Sequence, residues 1–284
     1  MRKDVTIRRE RPAFMTVSGA TYAQVDAWFG HTLRDLKLDV IYPEDPDKRY
    51  PCIVWICGGA WLDMDRSAHT AFLAWLAMRG FVVASVEYRT SNEAQFPAPL
   101  LDVKAAIRYL RAHADRFHID TERFGTMGES AGGYLTAMSA LADDPAFDRG
   151  MWLDFSSRVQ AAVPWYPPTD FATMESALTN AAAPESLLLG KNVADHREEA
   201  AAICPVHYVT KDAPPMMIIH GTADTTVPFT QGLELHDRLA ELGCDVTLIA
   251  IDGAEHADLA FFQQEIWDMI AAFFKEKLGE PEKV

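Results

Sequence analysis

The stretch Arg123-Phe124-Gly125-Thr126-Met127-Gly128-Glu129-Ser130-Ala131-Gly132 decides how this chain is read. Residues 123–127 pattern as a strand, and an Ala-, Leu- and Met-rich helical run follows over 131–141. Between them, Gly128-Glu129-Ser130-Ala131-Gly132 leaves room only for a tight strand-to-helix turn. Glycines flank such a turn because side chains there would collide with neighbouring backbone. A serine at its apex stands at the end of a sheet, facing the first amides of the helix, which favour developing negative charge. Gly-x-Ser-x-Gly also arises by chance in loops, so the surrounding chain has to support the reading.

Outward from this turn the sequence alternates strand and helix patterns. Leu36, Leu38 and Val40 alternate with polar residues, as in a half-buried strand, while 52–57 and 81–86 are continuous apolar runs. Runs of that kind suit parallel strands covered on both faces. Further strands are predicted over 159–165, 216–220 and 246–251. Helices are predicted over 67–79, ending at Gly80, and over 101–113, 231–242 and 259–277. One continuous strand–helix alternation predicts a single α/β domain, 1–284, built on a doubly wound, mostly parallel sheet. Residues 143–215 break the pattern: prolines punctuate them, and only short helices are expected, near 181–183 and 198–202. They read as a small cap-like insertion rather than a second domain. Residues 1–20, with Arg2, Lys3, Arg8, Arg9 and Arg11, read as a solvated N-terminal arm, since no apolar run follows as a secretory leader would require.

A net charge of −15 disfavours nucleic acid, whose phosphates would be repelled over most of the surface. No stretch is long and apolar enough to span a membrane. The four cysteines, Cys52, Cys57, Cys204 and Cys244, fit neither a zinc knuckle nor a disulfide framework. Free thiols in a reducing, cytoplasmic setting are expected.

A serine nucleophile needs a base, and the base an orienting acid. On a serine elbow of this kind the chain order is serine, acid, histidine, each on a loop after a strand. Asp224 follows the strand 216–220, and His256 follows the strand 246–251, so both fall where that order requires. Asp252 is the rival acid. Asp258 is poorly placed to orient a ring two residues away. His220 reads as a loop anchor, and Glu129 as a hydrogen-bonding residue beneath the elbow. His220, Asp224, His256 and Asp258 could be written as a metal set, but the serine turn would then have no role, and no metal is expected. The third requirement is a set of backbone donors for an oxyanion. Gly58-Gly59-Ala60-Trp61 follows the apolar run ending at Cys57, and we assign the donors to the amides of Gly59, Ala60 and Ala131.

These residues resemble the hormone-sensitive-lipase-like esterases of the α/β-hydrolase superfamily, and in particular the bifunctional feruloyl and acetyl xylan esterase group. The resemblance runs over about 36–274 and is best matched at 55–61, 101–133, 218–228 and 253–258. It implies an α/β-hydrolase fold and a serine carboxylesterase hydrolysing short acyl or hydroxycinnamoyl esters, including those of carbohydrates, through an acyl-enzyme and without a cofactor. The chain departs from the family at Cys57, where a loop-bracing histidine is usual, which puts the rigidity of that loop in question. Ala60 also replaces a third glycine. The competing readings are an arylformamidase-type amidase, which shares the Gly-Gly-x-Trp loop, and a non-catalytic hydrolase-fold binding protein, which would typically lose one of the three residues. A small-molecule or oligosaccharide ester is the expected partner; a homodimer is compatible with this reading, which sets no oligomeric state. Trp61, Trp165, Tyr166 and Phe229 are candidates for a substrate-stacking platform, with core packing as the alternative for each.

Overall fold

A computed structural model of the chain describes residues 1–8 and 12–284, so Arg9 and Arg11 of the basic segment lie outside the described residues. The strands are β1 (Ala13–Ala27), β2 (Thr32–Glu44), β3 (Lys48–Ile56), β4 (Val82–Val86), β5 (Ile119–Glu129), β6 (Ala161–Trp165), β7 (Met216–Gly221), β8 (Val246–Ile251) and β9 (Glu282–Lys283). They pair in the order β1-β2-β4-β3-β5-β6-β7-β8, with β9 on β3. Only β1–β2, β2–β4 and β3–β9 are antiparallel; from β4 through β8 every pairing is parallel. Of the segment 1–20, residues from Ala13 onward are therefore strand rather than arm. They pair with β2, and Tyr22 and Ala23 a few residues on are buried in the core.

The helices are α1 (Thr70–Ala77), α2 (Ala98–Ala112), α3 (Ala114–Phe117), α4 (Ala131–Leu141), α5 (Glu175–Thr179), α6 (Pro184–Leu189), α7 (Arg197–Ala201), α8 (Phe229–Glu241) and α9 (Gln264–Leu278). Strand β3 explains the two layers. Cys52, Val54 and Ile56 join the core under α2 and α4, while Ile53 and Trp55, pointing the other way, join the core under α1 and α9. Successive side chains of a strand face opposite sides, so a strand covered on both reads as one unbroken apolar run. Helix α9 buries Ile266, Trp267, Ile270, Ala271, Phe274 and Leu278, a stripe at helical spacing. Among the described residues, no helix is long and apolar enough to cross a membrane.

Three predicted helical stretches are partly or wholly not α-helix, each for a local reason, while those over 101–113, 198–202 and 231–242 shift by one to three residues at their ends. Residues 67–69 form a turn ahead of α1, because Asp65 Oδ1 accepts from both the amide and the hydroxyl of Ser67, at 2.8 and 2.6 Å. The run 259–277 is two pieces: Asp258 caps a short turn over Leu259–Phe262, and Gln263 is extended before α9 starts. Residues 181–183 form a turn rather than a helix. The Ala182 amide donates to Asn180 Oδ1 at 3.0 Å, and Ala183 precedes Pro184, which disfavours helical backbone. Within 143–215, β6 joins the sheet, and α5 and α6 lie over the end of it where β5 delivers Ser130.

Candidate active site

Ser130 sits between the last residue of β5 and the first of α4 with φ 53° and ψ −121°, a backbone conformation that side chains rarely adopt. The glycines make it possible. A Cβ on Gly132 would stand 2.0 Å from the Ile56 carbonyl oxygen, and one on Gly128 would stand 2.4 Å from that same oxygen. The turn is thus pressed against the end of β3, and the Ser130 amide donates to the Trp165 carbonyl at 3.0 Å.

The two residues predicted to work with Ser130 converge on it. Ser130 Oγ lies 3.0 Å from His256 Nε2, and His256 Nδ1 lies 2.7 Å from Asp224 Oδ2. With Nδ1–H donating to the carboxylate, Nε2 is left to accept the serine proton. Asp224 is held from both sides, its Oδ1 accepting from the amides of Thr226 and Val227 at 2.9 and 2.8 Å. Burial alone would raise its pKa. Hydrogen bonding from His220, His256 and the Val227 amide outweighs that and holds the carboxyl well below the usual range. His220 behaves as the loop anchor expected: its Nε2 donates to the Val227 carbonyl at 2.9 Å and lies 3.5 Å from Asp224 Oδ2. Asp252 is exposed, and Asp258 Oδ1 accepts from the Ala260 amide at 2.8 Å.

Beneath the elbow lies a network that sequence reasoning found only in part. Glu129 Oε2 accepts from the Tyr166 hydroxyl at 2.7 Å, and Glu129 Oε1 lies 2.9 Å from His69 Nε2. Burial works to raise the Glu129 pKa, but these partners and the Gly58 amide lower it overall. The Tyr166 ring packs edge-on against His256, centroids 4.6 Å apart, so the network braces the imidazole as well as the turn. His69 carries no local signal in the sequence, because its partner is 60 residues away.

The loop after β3 carries Gly59 and Ala60, two of the three residues assigned as donors, and Ala131 opens α4. Gly59, Ala60 and Trp61 all have positive φ, at 121°, 55° and 56°, and a Cβ on Gly59 would stand 1.9 Å from the Asp63 carbonyl oxygen. Among the described residues, no hydrogen bond takes the amides of Gly59, Ala60 or Ala131. Cys57 does not leave the loop slack. Its carbonyl accepts from the Tyr88 hydroxyl at 2.9 Å, the Trp61 carbonyl accepts from the Ser91 amide at 2.7 Å, and the Leu62 carbonyl from Asn92 Nδ2 at 2.8 Å. Burial, with Glu129 nearby, pushes the Cys57 thiol up to about 12.

A cavity of about 360 Å³ opens at Ser130. Ala60, Trp61, Ala131, Thr226 and Val227 line it from the sheet side, and Ser176, Thr179, Asn180, Ala183, Pro184 and Glu185 from α5, α6 and the turn between them. A larger hollow, about 590 Å³, opens beside the C-terminal end of α4 and contains none of the residues singled out from the sequence. Of the four aromatics proposed as a platform, only Trp61 lines the cavity at Ser130. Trp165 is fully buried against Trp55, Phe261 and Trp267, because β6 is covered on both faces. Tyr166 is committed to Glu129 and His256, and Phe229 lies on α8 against the His220 ring.

Known proteins resemble this chain in sequence and in structure. Esterase LipC of Mycobacterium tuberculosis is 32% identical over 226 residues, covering 77% of this chain and 56% of LipC. The chain spans only 45% of a second relative from that organism, the probable carboxylic ester hydrolase LipM. A solved truncated form of a carbohydrate esterase from gut microbiota superposes with a TM-score of 0.84 at 31% identity, over 95% of this chain and all of that one. Propionate-bound esterase 2 of Thermogutta terrifontis gives 0.74 at 27% identity, over 91% of this chain and 93% of that one. The BD-FAE family profile matches residues 38–239, from within β2 to the last turn of α8, which includes the Ser130 turn and Asp224. Fold, sequence match and structural relatives agree: the chain belongs to the BD-FAE family of α/β-hydrolases.

Proposed function

We propose that this protein is a serine carboxylesterase that cleaves short acyl esters of hydroxylated, carbohydrate-like alcohols through an acyl-enzyme. The observation that carries this reading is the continuous hydrogen-bond chain Ser130–His256–Asp224, with spacings of 3.0 and 2.7 Å, at the wall of a cavity also lined by Ala60 and Ala131, whose amides have no hydrogen-bond partner among the described residues. His256 Nε2 takes the Ser130 proton as Oγ attacks the ester carbonyl, and Asp224 stabilises the imidazolium that forms. The amides of Ala60 and Ala131, with Gly59, hold the oxyanion; the N-terminus of α4 adds its dipole. The alcohol leaves with the proton from His256, and water then attacks the acyl-enzyme by the same route reversed. The modest cavity favours a short acyl group. In support, a structural relative is described bound to propionate and to butyrate, and two others are described as a carbohydrate esterase and a bifunctional GH43-CE protein.

The test is turnover of para-nitrophenyl acetate, together with labelling by a fluorophosphonate probe. Ser130→Ala is expected to lower kcat on the order of 10⁴-fold or more and to abolish labelling. Unchanged turnover in the variant would remove Ser130 from the reaction. Parallel assays on an acetylated xylo-oligosaccharide, a feruloylated sugar and an N-formyl aromatic amine separate the acetyl ester, hydroxycinnamoyl ester and formamide substrates.

A further inference from the structure

Buried acids elsewhere in the fold are occupied. Asp39 accepts from Ser18 and the Gly19 amide, Asp102 is clasped by Arg89, Asp170 caps the Ala172 amide, and Glu129 and Asp224 have the partners described above. Glu185 differs. It is only 6% exposed, it lines the cavity shared with Ser130, and its Oε2 is, among the described residues, the one carboxylate oxygen buried with no hydrogen-bond partner. Among the described residues no cation pairs with it, and burial pushes its pKa up. A buried polar group left unpaired is destabilising, so a fold that keeps one in the wall of the cavity at Ser130 lowers that cost whenever an incoming donor meets it. The last torsion of a glutamate side chain is soft, which lets either oxygen turn to meet such a donor.

The chemistry around Glu185 indicates what that donor is. Hydroxyl and amide side chains, Ser176, Thr179 and Asn180, stand exposed on the same wall, and Trp61 adds a buried Nε1–H that has no partner among the described residues. Pro168, Ala183 and Pro184 supply apolar surface between them. A ring carrying several hydroxyls on an otherwise apolar frame matches such a wall, whereas a plain alkyl alcohol would leave the acid buried and unmet.

We infer that Glu185 reads the alcohol half of the substrate, accepting a hydrogen bond from a ring hydroxyl next to the ester, so that sugar esters are preferred over alkyl esters of the same size. This rests on the esterase reading above. It makes Glu185 a specificity-determining residue of the binding wall, with no part in proton transfer.

The experiment compares kcat/KM for a mono-acetylated methyl xyloside and for cyclohexyl acetate, which has the same ring size and no hydroxyls. Wild type is expected to favour the xyloside. Glu185→Leu should shift the ratio of the two values towards cyclohexyl acetate by about tenfold or more, mainly through the KM of the xyloside. Glu185→Gln, which keeps an acceptor in place, should hold the ratio within about threefold of wild type. If the leucine variant does not fold, Glu185→Ala reads the same ratio without added bulk. A ratio unmoved in the leucine or alanine variant, or a parallel loss on both esters, overturns the inference by making Glu185 irrelevant or merely structural. A wild type that turns over neither ester and takes no fluorophosphonate label instead sinks the esterase reading on which the inference stands.

Discussion

Asp224 shows how one residue ties the proposed chemistry to the stability of the fold. Its two oxygens accept hydrogen bonds from two loop amides and from His256, so an amide side chain in its place would set an N–H against the His256 N–H or force the wrong tautomer. Asp224→Asn is expected to lower kcat at neutral pH on the order of 10⁴-fold, measured with para-nitrophenyl acetate. The same residue predicts a response to acid. Its folded pKa lies below the unfolded value of about 3.9, so its contribution is fully present above that value and fades as pH falls through it towards the folded pKa. Glu129, also lowered, contributes with the same sign. Urea midpoints of wild type should therefore drop steeply between about pH 5 and pH 2, and those of Asp224→Asn less steeply. Parallel curves would show that the depressed carboxyl does not report on folding.

At the scale of elements, the elbow is held by what packs against β5 and β6. Trp165 ends β6, and its carbonyl receives the Ser130 amide while its ring fills the core between Trp55, Phe261 and Trp267. Its side chain therefore acts on stability rather than on substrate. Trp165→Ala is expected to cost about 3–5 kcal/mol in unfolding free energy, the range for deleting a large buried aromatic. KM measured on the protein that remains folded should stay close to wild type. A raised KM with unaltered stability would return Trp165 to the binding wall, where the aromatic pattern of the sequence alone allowed it. Tyr166, one residue on, has a different fate, because its hydroxyl reaches Glu129 and its ring meets His256.

On the scale of the whole molecule, apolar cores enclose the sheet on both faces, and the cysteines report on their integrity. Cys52, Cys57 and Cys204 are buried and Cys244 is half-exposed, all as free thiols. Burial raises the pKa of the first three, which keeps them protonated and unreactive at neutral pH. A disulfide-exchange reagent should titrate Cys244 alone in the native protein and all four thiols in denaturant; fast reaction of more than one native thiol would mean that a core opens. This enclosure also marks how far the sequence could be read. The amino-acid sequence by itself determined the Ser130 turn, the strand–helix alternation, the placing of Asp224 and His256 on successive loops, and the glycine-rich loop after β3. Those features lie in contiguous residues, where glycine position and apolar period constrain the backbone directly. Only the tertiary structure decided that His69 and Tyr166 hold Glu129, that Trp165 is core while Trp61 lines the cavity, and that Glu185 is buried in the wall of the Ser130 cavity with Oε2 unpartnered among the described residues. Each of these depends on residues distant in the chain meeting across the end of the sheet, and a local pattern carries no record of which side chain will stand opposite another.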